Sequence, residues 1–486
     1  MTRLRFRLYR LASGLRYWVP RRFTPAGLLA LTAAIVSGAI GIDMDQTVAF
    51  QAFAFVVCLL AVSMASAFFF RGKFSVRRVL PRFGSVEEAF TYAVQVRKLS
   101  GRAQRDLELL EDLADPRPTL AEFSRYLRHR SGGGSFRILL TFPPALNQRA
   151  AVVRPAFLPS LSMRGEADAR VEVVPLRRGP LRFEGVTVAR ADPFGLFRSF
   201  VRVPLPETVL ILPKRYPLPD ITLPGTRSYQ RGGVALAAAI GESEEFVSLR
   251  DYRPGDPRRH IHWRSWARTG RPIVKEFQDE FFVRHALILD TFIQPPVSSG
   301  GKNKRASIKS RNTKHGTPID QSLLTSATTT QSGNSAAFEE AVSVAASFAC
   351  AVGTQESLLD LMFIGPQAVC FTTGRGLGQA EQALEILAAV QPCRDKPFRA
   401  LEELVMRHAD AVCGCVCVLV AWDEPRRELV RKLRTRGLPV LVLVVVDAGA
   451  AEKFRAAHTE DASENFHVLE AGKVTEGLQA LKGMLS

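Results

Sequence analysis

The stretch CGCVCVLVAWDEPRRELVRKLRTRGLPVLVLVVVD, residues 413–447, decides the fold. Its two apolar runs, 416–421 and 440–446, are short, uncharged and rich in Val and Leu, which suits strands buried on both faces. Residues 424–436 between them have a charged helical pattern. Strand, helix and strand in this order are the unit of a parallel sheet. Cys413, Cys415 and Cys417 alternate through the first run, so a strand places their side chains on one face. No further metal ligands are evident beside them, and they read as buried reduced thiols.

Working outward, 286–290 and 358–364 are further strand candidates, and 337–352, 377–390 and 474–485 are further helices. Residues 283–486 therefore read as a doubly wound α/β domain. Ligands in that class bind beyond the carboxyl ends of the strands. Two acids stand there: Asp290 ends the first strand and Asp423 follows the third. Residues 294–335 are rich in Ser, Thr, Lys and Gly, too polar to build a core, and are expected to form a disordered insertion.

The middle of the chain has a different rhythm. Segments 136–141, 171–175, 186–189 and 208–212 are short, apolar and separated by Gly and Pro, so a β-sandwich-like domain is expected over 84–216. Within it, 102–130 is charged and helical in pattern.

With 486 residues, 47% of them apolar, the chain can bury cores in roughly two to four domains. The net charge of +18 is unevenly placed. Residues 1–82 hold twelve basic residues against two acidic ones, and 294–335 hold six against one, leaving +3 for the rest. A nearly neutral body argues against nucleic-acid binding, although the basic residues at 302–314 could touch anionic lipid.

Residues 23–42 and 47–70 are uncharged and long enough to cross a hydrocarbon core of about 30 Å. They read as a two-helix transmembrane anchor, 23–70, after a basic N-terminus, 1–22. Arginines flank both outer ends, whereas Asp43 and Asp45 lie between the spans. The positive-inside rule then puts both termini and the main body in the cytoplasm. A secretion signal is the competing reading, but the basic region is long and no clear cleavage site comes after it.

The most distinctive stretch lies within 241–280: GESEEFVSLRDYRPGDPRRHIHWRSWARTGRPIVKEF, residues 241–277. Pro254 and Gly255 suit the centre of a turn, where Pro fixes φ and Gly accepts a positive value. Around it stand Glu245, Arg250, Asp256, Arg259 and Arg268, with Trp263 interleaved; such residues can lock a junction or hold an anionic partner. Trp263 is expected to be packed. His260 and His262 share one side of an extended segment and, with nearby acids, could hold a catalytic metal for hydrolysis. No third or fourth ligand is evident, so structural roles are favoured.

Glu245, Phe246, Leu249, Arg250, Tyr252, Pro254, Gly255, Asp256, Arg259, Ile261, Trp263, Ala267 and Arg268 together resemble the signature of the bacterial family called domain of unknown function 58. Upstream, Arg178, Gly179, the run 192–197, Leu212 and Pro213 resemble the same family's β region. The resemblance implies a membrane-anchored protein with a von Willebrand factor A-like C-terminal domain, usually associated with a MoxR-type AAA+ ATPase. Other von Willebrand factor A-domain proteins are further implied partners, and no enzymatic activity is implied. The expected function is a non-catalytic interaction or assembly protein working on membrane or envelope clients.

A metal-ion-dependent adhesion site, as such domains carry, needs an Asp-x-Ser-x-Ser loop, with a Thr and a second Asp from other loops, to supply hard oxygen ligands. Here the loop runs Asp290, Thr291, Phe292, Ile293, Gln294, and both serines are missing. Asp423 could stand for the later Asp, and Thr372 or Thr373 for the Thr. Magnesium is the ion a complete site would take; with this degenerate one, no cofactor is expected.

Overall fold

The computed structural model describes residues 2–40, 47–66, 70, 72–100, 103–115, 117–121, 123–124, 149–162, 165–219, 245–253, 256, 258, 261–278, 283–292, 336–353, 357–374, 377–458 and 465–480. The chain divides into two units. One holds Met1–Lys214 and Glu385–Gln391, and the other holds most of the chain after Lys214.

The first unit begins with helices α1 (Thr2–Arg22), α2 (Pro25–Ile40) and α3 (Thr47–Ser66). Over Val48–Ser66, α3 is long and apolar enough to cross a membrane. The apolar α2 has 16 residues, about 24 Å of helix, and the expected connection at 43–46 lies outside the described residues.

Nine strands come next: β1 (Lys73–Val79), β2 (Phe83–Ser85), β3 (Phe90–Ser100), β4 (Leu107–Leu113), β5 (Ala151–Val153), β6 (Ala156–Leu158), β7 (Glu166–Pro175), β8 (Gly179–Ala191) and β9 (Arg198–Leu212) among the described residues. They form two sheets, ordered β1-β3-β7-β5 and β2-β9-β8-β4-β6. Alternate residues turn inward: Val94, Val96, Val171 and Val173 from one sheet share a core with Leu107, Leu109, Phe183, Val186, Val188 and Ile211 of the other. Each such side chain contributes about 1.5–3 kcal/mol on burial. The strands start at Lys73, earlier than residue 84, and the expected strand at 136–141 lies outside the described residues.

The helix expected over 102–130 is corrected in its first part, where Leu107–Leu113 is a strand paired with β6 and β8, while residues 120, 121, 123 and 124 are helical. The acids of this strand find cations from elsewhere in the fold. Buried Arg78 donates to Glu111 at 2.5 Å, Glu207 at 2.8 Å and the Leu205 carbonyl at 2.7 Å, while Arg21 and Arg202 pair with Asp112. Burial pushes the Glu111 carboxyl up to about 7, against the opposing pull of Arg78.

One turn of this unit ties the apolar helices down. Asp192 accepts the backbone N–H groups of Phe194, Leu196 and Phe197, and the Ser63 hydroxyl of α3 at 2.6 Å. Burial would raise this carboxyl, but those four donors outweigh it and hold it below the usual range. Thr24 donates its N–H to the Leu196 carbonyl at 3.1 Å and caps α2 through Gly27 N–H at 3.0 Å. A Cβ on Gly27 would meet the Leu196 carbonyl oxygen at 1.9 Å, so only glycine allows this approach.

The second unit contains a ribbon of β10 (Glu245–Asp251) and β11 (Ile273–Gln278) with helix α4 (Trp263–Thr269) between them. Beyond it lie β12 (Val283–Leu289), α5 (Ala336–Gly353), β13 (Ser357–Ile364), β14 (Ala368–Thr373), α6 (Leu377–Ala389), α7 (Arg399–His408), β15 (Gly414–Leu419), α8 (Glu424–Thr435), β16 (Val440–Val446), α9 (Ala451–Ala457), β17 (Phe466–Glu470) and α10 (Val474–Gln479). The sheet order is β14-β13-β12-β15-β16-β17, parallel except at the β14 edge. Val440, Val442 and Val444 pack with Leu401, Leu404 and Val405 of α7 and Leu429, Val430 and Leu433 of α8. The alternate residues Leu441 and Leu443 are equally buried and turn to the other face, while α5 packs on β12, β13, β15 and β16. Cys415 and Cys417 lie in the first of these layers and are free thiols.

Candidate functional site

The sheet order reverses between β12 and β15, where a parallel sheet opens a crevice at its carboxyl end. Asp290 ends β12 there with no exposed surface. Its carboxylate accepts the N–H of Phe292 at 2.9 Å and of Val420 at 3.2 Å. Asp423 comes after β15 and is the N-cap of α8, accepting the Arg426 N–H.

Between the two acids lies the guanidinium of Arg426. Its Nε donates to Asp290 at 2.6 Å, Nη1 to Asp423 at 2.7 Å and Nη2 to the Phe292 carbonyl at 3.0 Å, and its carbon stands 4.8 Å from the centre of the Phe398 ring. Burial alone would lower the Arg426 pKa, but the carboxylates of Asp290 and Asp423 outweigh it and raise it. Burial raises the Asp290 carboxyl, against the pull of Arg426.

Asp290 and Asp423 are therefore brought together, but around an internal cation. A divalent ion needs an oxygen cage, and here the guanidinium takes the lone pairs that would face it. The residues do not fit a metal. Thr372 lies elsewhere: its hydroxyl donates to Asp360 at 2.6 Å, and Arg284 pairs with the same carboxylate at 2.7 Å. Thr373 is on the same edge strand.

The signature residues form a second site, on the ribbon. Arg250 grips Asp256 with two bonds of 2.8 Å, and Asp256 also accepts the Arg253 N–H at 2.8 Å. The Arg250 and Arg253 donors hold the Asp256 carboxyl at about 2. Tyr252 is held by its N–H on the Pro272 carbonyl, and His262 by its N–H on that of Ile273. The His262 ring also contacts the Ser265 hydroxyl at 2.7 Å. Gly270, at φ 69°, ends α4.

Trp263 corrects the expectation of a packed junction. It is 63% exposed and stacks on Trp266 with ring centres 5.2 Å apart. A seven-residue helix on a two-stranded ribbon has too little surface beneath it to bury both rings. Arg268 and Leu249 are exposed as well. Pro254, Gly255, Arg259 and His260 lie outside the described residues, as does the side chain of Glu245. Among the described residues no group of three or more His, Cys, Asp or Glu could hold a metal ion.

Arg426 was missed from sequence, although a signal existed. A basic residue in the first turn of a helix opposes the helix dipole and calls for a local acid partner.

The second unit is thus an α/β unit whose switch-point crevice is closed by an arginine, joined in sequence to an aromatic and arginine-bearing ribbon. The model of the family described as "Protein of unknown function DUF58" matches residues 248–313, a span that includes most of the ribbon, β12 and Asp290. No curated protein matches the chain.

Proposed function

We propose that this chain is a membrane-anchored interaction protein, with α2 and α3 spanning the bacterial inner membrane and the folded mass in the cytoplasm. Its second unit is a von Willebrand factor A-like domain without a metal. The ribbon binds a MoxR-type AAA+ ATPase and presents it to membrane or envelope clients. The observation that carries this reading is the exposure of Trp263 and Leu249 beside Arg250 and Arg268, on the span that matches the family model. Exposed Trp and Arg are the side chains that dominate binding energy at protein interfaces. The membrane part draws on the apolar α3, the basic flanks and the shared turn that holds the start of α2 and the end of α3.

The test is co-purification of the membrane-extracted full chain with a MoxR-type ATPase encoded beside it, with and without nucleotide. Capture is expected for the wild type and should fall at least tenfold, about 1.4 kcal/mol, in Trp263→Ala with folding retained. No ATPase in the wild-type capture would remove the functional claim.

A further inference from the structure

Helix α1 has two opposed faces. Tyr9 is buried with its ring 5.1 Å from that of Phe123, and Phe6 packs on the same ring at 5.5 Å, so one side is seated on the β unit. Leu4, Leu8, Leu11, Leu15 and Trp18 are between 43% and 65% exposed. At about 100° per residue these five fall within an arc of about 80°, opposite Tyr9. A helix in water gains nothing from an unbroken leucine stripe turned to solvent.

Charge and position say what covers it. Arg3 and Arg7 lie along one edge of the stripe, are exposed, and make no ion pair among the described residues. The helical backbone stops at Arg22 and resumes at Pro25 under the Thr24 cap. Thr24 and Gly27 meet the turn at Leu196, and Ser63 at the end of α3 meets the same turn at Asp192. The start of α2 and the end of α3 therefore stand at one level, and α1 leads directly into it. Phe194 of that turn is exposed too.

We propose that α1 is an interfacial helix: its leucine stripe sinks into the acyl boundary of an anionic leaflet, and Arg3 and Arg7 meet the lipid phosphates. A lipid surface offers apolar depth and negative charge together, the pair of properties this face displays. The inference rests on the membrane-anchored reading above, which has its own control in the test.

The full chain, in a Cys58→Ser background with the background signal subtracted, is spin-labelled at Leu8→Cys or Leu11→Cys and reconstituted in nanodiscs containing phosphatidylglycerol. Phe55→Cys in α3 serves as the lipid reference and Thr435→Cys as the water reference. The ratio of oxygen to nickel-chelate accessibility at both α1 sites should exceed that at Thr435 severalfold and approach that at Phe55. In phosphatidylcholine discs it should fall toward the water value; an unchanged ratio would overturn the role of the arginines. Water-like values at Leu8 and Leu11 with Phe55 still in lipid would overturn the proposal and leave the anchor standing. A water-like Phe55 would remove the anchor and the proposal with it. Short distances between Leu11 labels on two chains would show a second copy covering the stripe, and would also overturn it.

Discussion

Two arginine–aspartate pairs in the second unit make similar bonds in opposite surroundings. Arg250 and Asp256 are joined by two bonds of 2.8 Å, but the Arg250 side chain is about a third exposed. Arg426 reaches Asp290 at 2.6 Å with both side chains buried. Water screens the first pair, so its contribution is small. Breaking the second strands a charge inside the protein. The difference separates presentation from construction: the exposed pair shapes a surface, and the buried one takes the place a bound cation would need. The family match takes in both members of the exposed pair but only Asp290 of the buried one, since it ends well before Asp423 and Arg426.

Removing each arginine in turn separates the two pairs. Arg426→Ala should destabilise the second unit by about 3–5 kcal/mol, because Asp290 loses its charge partner in the interior. Arg250→Ala should cost about 1 kcal/mol or less. Denaturant unfolding of the detergent-solubilised chain, monitored by the tryptophans of this unit, measures both; equal losses would dissolve the distinction.

A buried acid of the first unit extends the same contrast to pH. The Glu111 carboxyl titrates at about 7 when folded, above its ordinary 4.5. The folded state therefore holds this proton more tightly than the unfolded chain. The associated stability is full below pH 4.5 and is lost as pH rises from there through 7, by about 3 kcal/mol. Unfolding midpoints across pH 4 to 8 should show this fall in the wild type and not in Glu111→Gln.

Trp263→Ala should change stability by no more than about 1 kcal/mol, the worth of a stacked aromatic pair at a surface. A loss of several kcal/mol would mean that the ring is buried by something else. The smallest effect belongs to Asp256. Its folded pKa of about 2 lies below the ordinary 3.8, so its contribution is present above pH 3.8 and fades as pH falls toward 2. The midpoint of its carboxyl carbon signal in NMR should rise toward the ordinary value in Arg250→Ala.

Much of the α/β sheet was legible because parallel strands buried on both faces are continuous apolar runs. Residues 440–446 coincide with β16, and residue 424 with the start of α8. Strand β4 was not legible. Glu108, Glu111 and Asp112 make Leu107–Leu113 look like an exposed helix, and their cations come from Arg198, Arg78, Arg21 and Arg202, distant in the chain. The partly exposed edge strand β14 gave no strong period, whereas α7 does carry a helical one, with Leu401, Leu404 and Val405 on its buried face, although it was not among the expected helices. At the switch point both acids were found, because strand ends locate them. The arginine between them was not, since its partners are fixed only when β12 and α8 meet. In α1 the arginines were read for their charge, which hid the spacing of the leucines.

Closure of the switch point by Arg426 is checked by calorimetric titration of Mg²⁺ and Mn²⁺ into the full chain in detergent, for the wild type and Asp290→Asn. No heat of binding that depends on Asp290 is expected. Tight, Asp290-dependent binding in the wild type would contradict that closure, because the metal would have to displace Arg426 from both carboxylates.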